Sequence, residues 1–405
     1  MKILLLSAIF PPHVFGGAEI AAYNMACLLA KRGHDVSVAT LKEPDETEVR
    51  DALQPEGFRL YRIAIPRRYT VSGRTAETSS AHKILWHLQD YADWRNRHIM
   101  RQLLNEVRPD QIDIHNILGF GFNTMEDIGK RGIPVKFFLH CLDLVCFQAS
   151  MFRNGRNCEK PCIACKIIGA LRQANLKKAG NVGFIAPSQA PLDQLLLFAP
   201  KLNQFPKAII KNVPDSLPPL PEYTPSKEIK LVFAGRLALG KGIDFLLSVL
   251  DGLSSRFTFK IDILGTGPLE SPLREQYKKK SWAIFHGFVS REQVACTIAR
   301  ADLFCMPSLW SETYGLVTAQ ALQIGTPVIG SDIGGTRYLV RHGKTGILVA
   351  PGDKTAWTTI LSELFTSTAQ LQSLRRGAFA IRKEFDDKLI IEAYEAFSAR
   401  LQGPI

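Results

Sequence analysis

The chain has 405 residues, 46% of them hydrophobic and 22% charged, a composition that suits two ordinary globular domains and excludes a disordered or fibrous protein. Its longest apolar runs, residues 3–10 and the broken stretch 137–147, fall short of the roughly 20 residues a membrane helix needs. A formal charge of +12 implies a polyanionic neighbour: anionic lipid, nucleic acid or a phosphorylated substrate.

Lys2–Ser7 reads as a buried strand rather than a signal peptide, because its apolar core is short and runs into PPHVFGGAE without a small-residue cleavage site. A loop at 8–17, a helix over 18–32, Gly33 and a strand over 35–40 follow, the opening of a Rossmann-like unit. Gly16 and Gly17 either let backbone approach a ligand or simply supply the turn into the helix. From Arg59 to Arg101, nine cations (Arg59, Arg62, Arg67, Arg68, Arg74, Lys83, Arg95, Arg97, Arg101) face three acids (Glu77, Asp90, Asp93), with Trp86, Tyr91 and Trp94 interleaved. That mixture suits either a peripheral surface for anionic membrane or a solvated helix face with its aromatics in the core. No zinc-finger, homeodomain or RNP-type motif is present, so nucleic acid is not an expected partner.

Residues 113–116 end a strand, and 135–140 form another whose last residue, His140, faces the crevice at the sheet's carboxyl edge. Cys146, Cys158, Cys162 and Cys165 then follow closely. Four thiolates around a C-x3-C-x2-C core suit a structural zinc, and free thiols in a packed loop are the other reading, since only one C-x2-C knuckle exists. Eight unevenly spaced cysteines without an export signal predict a reducing, cytoplasmic setting. Pro191, Pro200 and Pro206 open a breaker-rich zone whose proline-rich part, 213–226, is the linker before a strand at 229–234.

GRLALGKG at 235–242 nearly spells a phosphate-binding P-loop, but Gly242 stands where the magnesium-binding Ser/Thr would be, which argues against an ATPase or GTPase. Gly265 and Gly267 mark a turn. Residues 302–307 read as a strand, 315–324 as a helix, 327–330 as a strand and 336–341 as a helix. Glu312 therefore lies between a strand's carboxyl end and a helix whose first N–H groups, near Tyr314, Gly315 and Leu316, can hold an anion. The final helix spans about 388–401.

The spacing Glu312-x7-Gln320 resembles the E-x7-E signature of the GT-B-fold retaining glycosyltransferases of family 4, although the family's second Glu is Gln320 here. GGAE at 16–19, HN at 115–116, LHCLD at 139–143, APS at 186–188, GRLALGKG, LGTGPLE at 264–270, HGFV at 286–289 and HGKTGILVAPGD at 342–353 occur in the family's order over nearly the whole chain. The resemblance implies an α/β fold of two Rossmann-like domains facing a cleft. Residues 1–200 would form the acceptor side and 210–384 the nucleotide-sugar side, with a C-terminal helix at about 385–405 crossing back. It implies that Arg236 and Lys241 clamp the donor diphosphate in place of a metal, in keeping with the lack of any Asp-x-Asp triplet. Gly16 and Gly17 would lie across the cleft from that diphosphate, and His140 near the C6 hydroxyl of the donor sugar. Glu312 would hold a sugar hydroxyl, the N–H groups at Tyr314, Gly315 and Leu316 the β-phosphate, and Gln320 the ribose. Gly235, Gly265, Gly267 and Phe288 would line the nucleotide. The implied activity is retaining transfer from a nucleotide-diphosphate sugar to a glycan or lipid-linked acceptor in cell-surface polysaccharide synthesis, with no cofactor required for catalysis. The cysteines place the chain in the cytoplasm, and the membrane reading of the 59–101 stretch, where it holds, adds a peripheral position at the inner face of the membrane. A nucleotide-sugar 2-epimerase of the same fold and an inactive sugar-nucleotide-binding subunit stay open beside the transfer reading.

Overall fold

A computed structural model describes residues 1–43, 46–65, 91 and 93–403. Every residue of the first strand, Lys2–Ser7, except Lys2 is buried, as befits a central parallel strand covered on both faces. It pairs with Asp35–Leu41 on one side and Gln111–Asn116 on the other. The eight-stranded sheet runs, edge to edge, Lys207–Ile209, Val182–Ala186, Val135–Phe138, Gln111–Asn116, Lys2–Ser7, Asp35–Leu41, Arg59–Ile63 and Val49–Leu53, with only the last strand antiparallel. A second, wholly parallel sheet runs Ala283–Gly287, Phe259–Leu264, Ile229–Ala234, Leu303–Met306, Val328–Ser331 and Gly346–Val349. Each sheet carries an apolar cluster on both faces, so each domain is a helix–sheet–helix sandwich. Chain order reverses between Ile229–Ala234 and Leu303–Met306. Their following loops, 235–242 and 307–315, therefore splay around a crevice at the carboxyl edge.

The prolines mark less of a linker than their number suggests. Pro191 is the third residue of the helix Gln189–Phe198, inside the first turn where an N–H has no intrahelical partner, and Pro200 opens a 3-10 turn. The irregular crossing runs over 210–228. The helix expected at 336–341 is Gly334–Leu339: Gly334 enters it at φ 56°, in the left-handed region that glycine favours, and Gly335 fits against the Tyr314 carbonyl because it lacks a Cβ.

The last helix, Asp387–Gln402, lies on the first domain, where Ile390, Ile391, Tyr394, Phe397 and Leu401 join Ile3 and Leu5 in one core. Its docking is polar as well. The Tyr394 hydroxyl donates to Asp113 Oδ2 at 2.6 Å, Gln111 Nε2 donates to Asp113 Oδ1 at 2.7 Å, and buried Lys136 places its ammonium 3.2 Å from the Tyr394 ring centre while bonding the Ser398 hydroxyl. Burial pushes the Lys136 ammonium down to about 8 and the Asp113 carboxyl up.

Among the described cations of the 59–101 stretch, Arg59 pairs with Asp51, Arg62 with Glu46, Arg95 with Asp93, and Arg97 and Arg101 with Asp127. These charges are neutralised within the fold. Arg67, Arg68, Arg74, Lys83, Glu77, Asp90 and Trp86 lie outside the described residues. Among the described residues no helix is long and apolar enough to cross a membrane.

Candidate active site

The strand Ile229–Ala234 delivers Gly235 and an exposed Arg236 at its carboxyl end, and the loop that follows closes on Lys241. Its backbone leans on two neighbours. Leu237 N–H donates to the Thr266 carbonyl at 2.8 Å, in the turn that carries Gly265 and Gly267, and the N–H groups of Leu309 and Trp310 both donate to the Gly240 carbonyl at 3.0 Å. Gly242, at φ 67°, presses on Pro307 so closely that any Cβ would collide with the Pro307 carbonyl. The approach of these loops sets Lys241 Nζ 2.9 Å from Glu312 Oε2, while the Ser308 hydroxyl donates to Oε1. Both carboxylate oxygens are thus engaged, and Lys241 and Glu312, expected as separate contributors, meet as one pair.

Gly335 grips the same loop from behind. Its N–H donates to the Glu312 carbonyl at 2.7 Å, and a Cβ there would strike the Tyr314 carbonyl. Sequence reasoning passed over Gly334 and Gly335, although a glycine pair after a strand was the same signal used at Gly16 and Gly17. Gly315, at φ 92°, caps the helix Leu316–Ile324 with no side-chain partner, so the first N–H groups from Leu316 onward are left for an anion. The Tyr314 ring is buried with its hydroxyl unpartnered among the described residues, and Gln320 is buried in the helix's second turn. Phe288, just after Gly287, is 86% exposed.

The first domain closes on this loop at several points. The Thr313 hydroxyl donates to the His140 carbonyl at 3.0 Å, and the Ser188 hydroxyl donates to the Thr313 carbonyl at 2.6 Å. A Cβ on Gly17 would lie 2.8 Å from Leu316 Cδ1, so the 16–19 turn abuts the start of the helix; Gly16 N–H is itself taken by Glu19 at 2.9 Å. Asn157 supplies a two-bond clasp: its amide nitrogen donates to the Leu309 carbonyl at 2.8 Å and its Oδ1 accepts from Ser311 N–H at 2.9 Å. Trp310 Nε1 donates to the Ser150 carbonyl at 2.8 Å beside it. Neither Asn157 nor Ser150 was expected, because polar residues in a turn carry no signal of a long-range partner.

His140 Nε2 lies 2.8 Å from His115 Nδ1, with the His115 ring stacked on Phe138 at 4.0 Å between centres. Burial drives the His140 imidazole down to about 4 and His115 well below its ordinary range, where the facing ring adds to the effect. Both rings are neutral at pH 7. His115 spends one nitrogen on His140, and Nδ1 of His140 is the atom not engaged in that bond.

The four clustered cysteines meet around one cavity of about 210 Å³, with Cys146 buried, Cys158 and Cys165 half-buried and Cys162 exposed. Among the described residues no group of three or more His, Cys, Asp or Glu is disposed to hold a metal.

Residues 16–172 match the glycosyl transferase 4-like domain and residues 228–367 match glycosyl transferases group 1, which together take in most of the chain. An uncharacterized glycosyltransferase of Methanocaldococcus jannaschii is 23% identical over 88% of this chain and 87% of its own length. A D-inositol 3-phosphate glycosyltransferase of Jonesia denitrificans is 34% identical over 38% of this chain and 39% of its own. In fold, the chain is similar to sucrose-phosphate synthase from Thermosynechococcus elongatus (TM-score 0.74, 18% identity, 98% of each chain) and to Anabaena HepE in complex with UDP-glucose (TM-score 0.67, 18% identity, 98% of this chain and 100% of that one).

Proposed function

We propose, for a chain that belongs to the GT-B glycosyltransferases of the group 1, family 4 type, that the sugar comes from a nucleotide-diphosphate donor and is transferred with retained configuration to a glycan or lipid-linked acceptor of a cell-surface polysaccharide. The observation that carries this reading is the loop 309–313, on which a cation from one strand end, a carboxylate and the backbone of a neutral histidine from the opposite domain converge. Arg236, which makes no ion pair among the described residues, and Lys241 receive the diphosphate. The helix start at Leu316 adds its N–H groups to the β-phosphate, where charge grows as the sugar–phosphate bond breaks. Glu312 shares Lys241 with that phosphate and holds a sugar hydroxyl; its negative charge opposes the oxocarbenium character of the reacting carbon. His140 offers a neutral ring to another hydroxyl. With two fixed cations at the leaving group, no metal is needed. The departing phosphate takes the acceptor's proton on the face it leaves, which preserves the configuration.

Work with UDP-glucose belongs to the Anabaena neighbour, and it supports a nucleotide-hexose donor here. A position beside the anionic inner face of the membrane fits the charge of +12, although the described arginines of the 59–101 stretch are internally paired. The test is incubation with a panel of nucleotide sugars and glycan acceptors, with the product's anomeric configuration read by proton NMR. Retention at unchanged rate in EDTA is the expected result; inversion, or dependence on Mg²⁺ or Mn²⁺, contradicts the reading. Gln320 favours one second reading, a subunit that binds the sugar nucleotide without transfer. It predicts binding with no turnover in the wild type and turnover gained in Gln320→Glu.

A further inference from the structure

The lobe between Cys146 and Cys165 holds chemistry that the transfer reaction leaves unused. Cys162 is the N-cap of the 16-residue helix Ile163–Lys178, and Cys165 is the third residue of that helix. The C-x2-C spacing at a helix start puts both cysteines on one turn, and both line the same cavity. Cys162 is exposed, whereas Cys165 is half-buried and accepts from Phe147 N–H at 3.3 Å. One sulfur thus faces solvent, and its neighbour waits behind it on the wall of a cavity of about 210 Å³ that opens between Phe147, Phe152 and Phe198. Among the described residues no group of three or more donors is disposed to hold a metal.

We propose that Cys162 and Cys165 form a thiol–disulfide exchange site whose substrate is a low-molecular-weight disulfide such as glutathione disulfide. The Cys162 thiolate attacks one sulfur of glutathione disulfide; the S–S bond breaks, Cys162 becomes linked to glutathione and one glutathione thiolate leaves and picks up a proton. Cys165 then gives up its proton and attacks the Cys162 sulfur. A Cys162–Cys165 disulfide forms and the second glutathione leaves. Two electrons pass from the protein dithiol to the disulfide, and two reduced glutathiones are released. The order of attack follows from exposure and from the helix N-terminus, both of which favour the thiolate at Cys162; the Cys162 thiol is held below its ordinary range and burial holds the Cys165 thiol above it. The pair lies in the lobe that, through Asn157 and Ser150, seats the loop before Glu312. The exchange chemistry does not depend on the transfer reaction.

The experiment uses the full chain, fully reduced and freed of reductant, exposed to excess glutathione disulfide at pH 7.5, alkylated and mapped by mass spectrometry. The expected product is one intramolecular disulfide joining Cys162 to Cys165, reversed by dithiothreitol. Cys165→Ser should instead accumulate a single glutathione adduct on Cys162. In Cys162→Ser, modification of Cys165 should be at least ~10-fold slower than that of Cys162 in Cys165→Ser. Three results would each overturn the proposal: a wild-type chain with no disulfide, a disulfide joining Cys158 to Cys162, or equal rates in the two variants. Stoichiometric zinc in the purified protein, with the thiols protected until a chelator is added, would overturn it in favour of a metal site.

Discussion

Glu312 and Lys241 answer to each other before any substrate arrives, and that fixes what substitution of either should do. Glu312→Gln keeps the shape and the Ser308 contact but removes the charge that Lys241 opposes, so turnover should fall by ~10²-fold or more in a coupled assay of nucleoside diphosphate release. A loss smaller than tenfold would mean that the carboxylate does not face the reacting sugar. Gln320→Glu should change the rate by less than about tenfold, since a ribose hydroxyl needs only an acceptor, which an amide oxygen already provides. The paired imidazoles give a pH dependence of definite sign. His140 titrates near 6.5 in the unfolded chain but at about 4 when folded, so between those values the unfolded state binds the extra proton and stability falls as pH drops. The share from His140 is on the order of 3 kcal/mol. Thermal midpoints measured from pH 7 to pH 4 should show that fall, and His140→Asn should flatten it; an unchanged slope in the variant would show that other groups cause it.

At the scale of elements, the C-terminal helix is the part most exposed to single changes. Tyr394→Phe removes the donor to buried Asp113 Oδ2 and leaves Gln111 alone with the carboxylate, which should cost about 1–3 kcal/mol in urea unfolding. Gly183→Val should cost more, because a Cβ at that position already comes within 2.7 Å of Phe397. A midpoint equal to the wild type in both would mean that the helix is not docked as described. These contacts also separate what the chain discloses from what it hides. The alternation of apolar strands with capped helices made the two sheets and the Glu312 loop readable, since periodicity and glycine placement are local signals. Tyr394 on Asp113, Lys136 beneath Tyr394 and Asn157 on Leu309 join residues 281, 258 and 152 positions apart. Nothing local marks such partners. Gly335 differs in carrying a local signal, a glycine pair after a strand, although the Tyr314 carbonyl it packs against is not marked by it.

Across the whole molecule, Asn157 carries two of the described side-chain bonds between the two domains. Asn157→Ala should leave the melting temperature nearly unchanged but raise hydrogen exchange at the Ser311 amide by roughly tenfold, as local opening of the loop becomes easier. Unchanged exchange would move the burden of closure to Thr313, Ser188 and Trp310. The central claim is that Arg236, Lys241 and the helix start at Leu316 form a metal-independent seat for a donor diphosphate. The most direct measurement is the melting temperature of the wild type, Arg236→Ala and Lys241→Ala with millimolar nucleoside diphosphates and nucleotide sugars, with and without EDTA, because a ligand that binds only the folded state raises it by linkage. The account predicts a rise in the wild type for at least one nucleoside diphosphate, unaffected by EDTA and lost in both variants. A rise that persists in both variants, or that disappears with EDTA, would contradict it.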